Sequence, residues 1–92
     1  MVRYTVKPEL VETNAKLVEA VFAQLERDQP SGLRYQTFRI EGTGTFLHLA
    51  TIEGTDNPLL ALAAFKEFTA AIAERCIEPP VTMHLDAIGA YP

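Results

Sequence analysis

The sequence predicts an α+β domain in which a four-stranded antiparallel sheet carries two helices on one face. Segments of period-two alternation and of 3.6-residue periodicity follow one another as strand, helix, strand, strand, helix, strand. The two middle strand segments flank Glu41-Gly42-Thr43-Gly44, a loop short enough to close a hairpin. Ninety-two residues with 48% hydrophobic content supply one core and leave no room for a second. The βαββαβ order is that of a split-βαβ, ferredoxin-like sandwich, here a single domain over residues 1–92. That scaffold carries many unrelated activities, so function has to be sought in particular side chains.

Each element has its own justification. Val2-Arg3-Tyr4-Thr5-Val6-Lys7 alternates apolar and polar side chains among β-formers, as a strand with one buried face does, and Pro8 ends it. From Glu9 to Gln29, Val11, Ala15, Val18, Phe22 and Leu25 recur at helical spacing, widened by Leu17 and Val21, while Glu12, Lys16, Glu19 and Glu26 cover the opposite face. Pro30-Ser31-Gly32 stops this helix, because a residue preceding proline is pushed out of the α region and glycine tolerates positive φ. Leu33–Ile40 and Thr45–Ile52 are the hairpin strands. Asn57 is the expected N-cap of the second helix, with Pro58 at its first position and Ala61, Phe65, Phe68 and Ile72 as its buried stripe down to Cys76. Pro79-Pro80 then separates the helix from a last strand, Val81 to Ala90.

Composition narrows the class of partner. A net charge of −4 and eight scattered Lys and Arg residues do not make the clustered basic surface that nucleic acid or an anionic membrane requires. Cys76 is the single cysteine, so no intramolecular disulfide forms, and no apolar run has the length of a membrane span or follows a basic start. Cytoplasmic residence is the expected default. The Gly42-Thr43-Gly44 turn leads into a strand rather than a helix and is no dinucleotide fingerprint.

The sheet is expected to have apolar side chains on both faces. Leu47 and Leu49 point one way and Phe46, Ala50 and Ile52 the other, while Val81, Met83 and Leu85 oppose Ile88 and Ala90. Two helices cover one face only, so the other is expected to be covered by a second copy of the chain in a homodimer.

Val2-Arg3-Tyr4-Thr5-Val6-Lys7-Pro8, the Gly32-Leu33-Arg34-Tyr35 approach to strand two, and Ala64-Phe65-Lys66-Glu67-Phe68 on helix two give a pattern that resembles the dimeric α/β-barrel superfamily, specifically its antibiotic-biosynthesis-monooxygenase-like small proteins. The resemblance spans essentially the whole chain. It implies two sheets facing each other with the helices outside, and a ligand pocket between each sheet and its helices walled by Tyr4, Phe22, Phe65 and Phe68. At their helical and strand spacing the same four aromatics also read simply as filled core. Members of the group include cofactor-independent oxygenases of aromatic substrates and haem-degrading enzymes. The latter use an Asn, a Trp and a helix-two His; this chain has no Trp, and Leu59 to Phe68 contains no His, so haem degradation is not expected. The missing histidine also removes one basis for carrying over a catalytic role from the oxygenases. The resemblance thus implies a cofactor-independent, monooxygenase-like enzyme, or a remnant of one, acting on a small aromatic or polyketide-like compound. The alternative is a non-catalytic dimer that binds a small ligand or serves a structural role.

His48 and His84 are the only histidines, on strands three and four with strand one expected between them, roughly 10 Å apart at the backbone, and no third metal ligand is evident. No metal and no cofactor are expected. Parity places Thr82, His84 and Asp86 on one face of strand four and Arg3 and Thr5 on one face of strand one. If these coincide, Asp86 pairs with Arg3 beside His84, either as an acid and a base for general catalysis or as a polar network that sets strand register. His48, His84 and Asp86 are therefore the catalytic candidates, and hydrogen-bonded histidines in a sheet interface are the other reading. Tyr35, Thr37 and Arg39 form a polar row expected on a solvated edge strand. Ser31 in a turn and Cys76 at a helix C-terminus, where the dipole raises a thiol pKa, are poor nucleophiles.

Overall fold

The computed structural model describes residues 1–92. Strand β1 (Val2–Val6) is followed by helix α1 (Val11–Asp28), the hairpin β2 (Leu33–Arg39) and β3 (Thr45–Ile52), the short helices α2 (Ala63–Ala70) and α3 (Ile72–Arg75), and β4 (Cys76–Thr82). Single 3₁₀ turns at Pro8–Leu10 and Pro58–Ala61 precede α1 and α2. All neighbouring strands are antiparallel and lie in the order β2-β3-β1-β4, with helices packed on the sheet in an α+β fold.

Register decides which side chains meet the helices. Val2 lies opposite His48 and Tyr4 opposite Phe46, while on the outer strand Thr37 lies opposite His48 and Tyr35 opposite Ala50. Because successive residues alternate faces, Val2, Tyr4, Val6, Tyr35, Thr37, Phe46 and His48 share the helical side. There Tyr4, Val6 and Phe46 form one core with Val18 and Val21 of α1, Leu59, Leu62 and Phe68. Phe68, almost fully buried, contributes about 2–3 kcal/mol of transfer free energy.

Two local devices hold the elements in place. Gln29 ends α1 in a left-handed conformation, its N–H returning to the Leu25 carbonyl, and Gly32 at φ 77° turns the chain into β2. Gly44 passes so close to β1 that a Cβ there would lie 2.6 Å from the Val6 carbonyl oxygen, and its own carbonyl accepts from the Val6 N–H at 2.9 Å.

Several expectations are corrected. The second helix is not continuous: Asn57 caps only the Pro58–Ala61 turn, accepting from the Leu59 N–H at 3.0 Å, and extended Leu62 breaks the run before α2. Leu62 offers no capping oxygen, so Gln24 of α1 supplies it, accepting from the Ala64 N–H at 2.9 Å. The buried positions are Leu59, Leu62 and Phe68, with Phe65 and Ile72 half-buried and Ala61 exposed. The last strand runs Cys76–Thr82, not Val81–Ala90, and Pro79-Pro80 lies inside it. An edge strand needs its N–H groups on one side only, and the register shift between Arg3 and Thr5 absorbs the two prolines. Cys76 is thus the first strand residue rather than a helix terminus, and burial is what pushes its thiol pKa up. The Tyr35-Thr37 row lies on an edge strand as expected but faces the helices instead of solvent.

The far face of the sheet has no helix over it. Half-buried Leu47 and Leu49 are joined there by Phe38, Ile77 and Val81, exposed by 47%, 61% and 55%. Beyond β4, residues 83–92 have no regular structure, and Leu85, Ile88 and Tyr91 are exposed. No helix is long and apolar enough to cross a membrane.

Candidate functional site around His48

A buried polar chain runs through the otherwise apolar helical side of the sheet. Arg75, at the end of α3, donates from Nε to Asn14 Oδ1 at 3.1 Å and from Nη2 to the Phe68 carbonyl. Its guanidinium carbon lies 5.4 Å from the centre of the Phe68 ring, a cation–π contact inside the core. Asn14 of α1, with no exposed surface, donates from Nδ2 to the Tyr4 hydroxyl at 2.9 Å. That hydroxyl is 2.7 Å from His48 Nε2. On the other edge of the imidazole, Nδ1 meets the Tyr35 hydroxyl and, at 3.1 Å, the Thr37 hydroxyl. Every buried polar side-chain atom has a partner.

Aromatic rings enclose this chain. The Tyr4 ring stacks on Phe46, His48 on Phe68, and Tyr35 on Phe22, with centroid separations of 5.6, 5.3 and 5.2 Å. Desolvation sets the electrostatics: it pushes the Tyr4 hydroxyl well above the usual tyrosine range, raises Tyr35, and lowers His48 to about 4. His48 is therefore neutral at neutral pH.

A cavity of about 450 Å³ opens between the sheet and α2, with Tyr4, Tyr35, His48, Phe65 and Phe68 in its wall. Thr82, the last residue of β4, and His84, just past it, stand at the same cavity. It is large enough for a small organic molecule, and its mostly apolar lining carries a few hydroxyl and imidazole groups. Phe22 contributes instead to a shallower depression of about 580 Å³ between α1 and the β2–β3 hairpin, whose charged groups Glu19, Glu26 and Arg39 form no salt bridge.

The structure thus brings Tyr4, His48, Phe65, Phe68 and His84 to one cavity and leaves Phe22 and Asp86 outside it. The expected cluster of Arg3, His84 and Asp86 does not form. Arg3 lies opposite Val81 on the uncovered face, Thr82 and His84 reach the helical side, and exposed Asp86 has left the sheet. Parity failed because the strand begins five residues earlier than Pro79-Pro80 suggested and ends at Thr82. No three His, Cys, Asp or Glu side chains are placed to share a metal ion.

Asn14, Tyr35, Thr37 and Arg75 are the residues that sequence reasoning missed. Asn14 carried a signal: it occupies the stripe Val11-Asn14-Val18-Val21, where an amide among aliphatics needs a buried partner. Arg75 carried none, because its burial depends on how α2 and α3 break. Comparison with family models, with curated proteins and with solved structures finds no match.

Proposed function

We propose that this chain is one protomer of a dimeric α/β barrel of the antibiotic-biosynthesis-monooxygenase-like kind, and that each protomer takes a small aromatic or polyketide-like compound into the cavity beside His48. The strand order β2-β3-β1-β4 supports the ferredoxin-like reading of the protomer. The uncovered apolar face with Phe38, Ile77 and Val81 supports pairing, since a second copy offers the same surface for burial. The observation that carries the ligand reading is the cavity wall: half-buried Phe65 offers ring surface for stacking beside the buried rings of Tyr4 and Phe68, and the Tyr35 hydroxyl and exposed His84 offer polar groups.

A second reading, cofactor-independent monooxygenation of the bound compound, is favoured by the two histidines at the cavity. In that chemistry the substrate itself reduces dioxygen: a ring CH₂ becomes a carbonyl and the other oxygen leaves as water, so the protein has only to hold the compound and take a proton. His48 is a weak base for this step, its pKa being near 4 and its ring nitrogens hydrogen-bonded to Tyr4, Tyr35 and Thr37. His84, exposed at the cavity, has no such partners and is free to turn toward a bound compound.

Titration of the isotopically labelled protein with bicyclic and tricyclic phenols and ketones tests binding. Shifts are expected at Tyr35, His48, Phe65, Phe68 and His84, and their confinement to the far face of the sheet would refute the reading. Oxygen uptake in the presence of a compound that binds, abolished in His84→Ala, separates the enzyme from the ligand binder.

A further inference from the structure

The chain through His48 has only one consistent direction. Arginine has donors only, so the Asn14 atom facing Arg75 Nε is the amide oxygen, and Nδ2 must donate to Tyr4. The Tyr4 oxygen is thereby an acceptor on that side, and its proton points to its one remaining partner, His48 Nε2. His48 Nε2 is then the unprotonated nitrogen and Nδ1 carries the ring hydrogen, which it gives to the hydroxyls of Tyr35 and Thr37. The opposite order would leave the Tyr4 proton buried without an acceptor, since its hydroxyl meets no group besides Asn14 and His48.

We infer that Asn14, although outside the cavity, orients this chain so that Tyr35 presents its hydroxyl proton to the cavity, and the cavity therefore selects aromatic compounds bearing a hydrogen-bond acceptor, a carbonyl or phenolate oxygen. Tyr35 receives from His48 Nδ1 and from the neighbouring Thr37 hydroxyl, so its oxygen is an acceptor toward both and its own proton is left for another partner. Thr37, the other receiver, faces the depression beside α1 rather than this cavity, so Tyr35 is the hydroxyl that a ligand meets. The selection rests on the small-molecule reading of the cavity; the direction of the chain does not. Asn14 is a positioning residue: its amide decides which nitrogen of His48 carries the hydrogen and touches no ligand.

Asn14→Asp isolates the effect. A carboxylate accepts from Arg75 as the amide oxygen did, but it also accepts from Tyr4. Tyr4 then turns its proton away from His48, Nε2 becomes the protonated nitrogen, and Tyr35 donates to Nδ1 instead of into the cavity. Two measurements are informative: the ¹⁵N shifts of the His48 ring, and the dissociation constants of 1-tetralone and of tetralin, which share a skeleton but differ in the carbonyl acceptor. In the wild type Nδ1 is protonated, and tetralone binds about five- to tenfold more tightly, as one net hydrogen bond provides. In Tyr35→Phe that ratio falls to about one while the His48 tautomer persists. In Asn14→Asp the tautomer reverses and the ratio falls as well. A wild-type His48 protonated at Nε2, or a preference that survives either substitution, overturns the inference. Equal binding of both compounds by the wild type overturns the selection alone and leaves a ligand site standing, whereas binding of neither overturns the small-molecule reading and the selection with it.

Discussion

Acidification should weaken the fold through His48 in a way that can be isolated from every other titrating group. The imidazole is buried and takes up a proton only near pH 4, whereas an unfolded histidine does so near 6.5. The folded pKa is the lower of the two, so the contribution of neutral His48 is complete above about pH 6.5 and is lost as pH falls toward 4. Linkage with these two values gives a loss of about 2 kcal/mol between pH 7.5 and 5.0, and about 3 kcal/mol once both states are fully protonated. Exposure does not discount it much, because only 5% of the residue's surface reaches solvent. The assay is urea unfolding followed by far-UV circular dichroism at the two pH values, at one fixed protein concentration, on the wild type and on His48→Gln. Glutamine accepts from Tyr4 and donates to Tyr35 but does not titrate, so carboxylates common to both proteins cancel in the difference. The wild type should lose about 2 kcal/mol more than the variant. Equal losses would falsify the placement of a neutral, desolvated His48 in the core.

Further outcomes follow from other parts of the structure. Asn14→Leu removes the acceptor of buried Arg75 Nε and the donor to Tyr4, and should cost about 3–5 kcal/mol by thermal or urea unfolding; a loss under about 1 kcal/mol would mean that Arg75 finds water. Gly44→Ala drives a methyl group against the Val6 carbonyl and should cost about 1–3 kcal/mol, with Gly42→Ala as the comparison at a site open to solvent but at positive φ. Sedimentation at micromolar concentration should find a homodimer, and Val81→Asp on the uncovered face should dissociate it; a wild-type species of the single-chain mass, 10.2 kDa, rules out the barrel. Asp86→Asn should leave both melting temperature and sedimentation unchanged, since the side chain is exposed and outside the sheet; a clear drop in either would restore the ion pair with Arg3.

Periodicity in the sequence was enough for β1, α1 and the hairpin, because the alternation of Val2, Tyr4 and Val6 and the stripe Val11-Val18-Val21-Leu25 report local geometry and burial together. The absence of clustered basic residues was equally plain. What tertiary structure alone decided lies where local signals conflict with the place of an element in the sheet. Pro79-Pro80 reads as a break in any isolated segment, yet an edge strand leaves half of its N–H groups unpaired, so β4 runs through it and the parity of His84 and Asp86 goes with it. The helix after Asn57 divides at extended Leu62, and Gln24, distant in sequence, supplies the cap with which α2 starts again. That division carries Arg75 back to Asn14, which no spacing announces. His48 was visible as a residue but not as the centre of a chain, since Tyr4, Asn14, Tyr35 and Arg75 come from four different elements and meet only once β1 is set between β3 and β4. Burial then turns an ordinary imidazole into a neutral, oriented one, because desolvation is a property of the packed core and not of the residue.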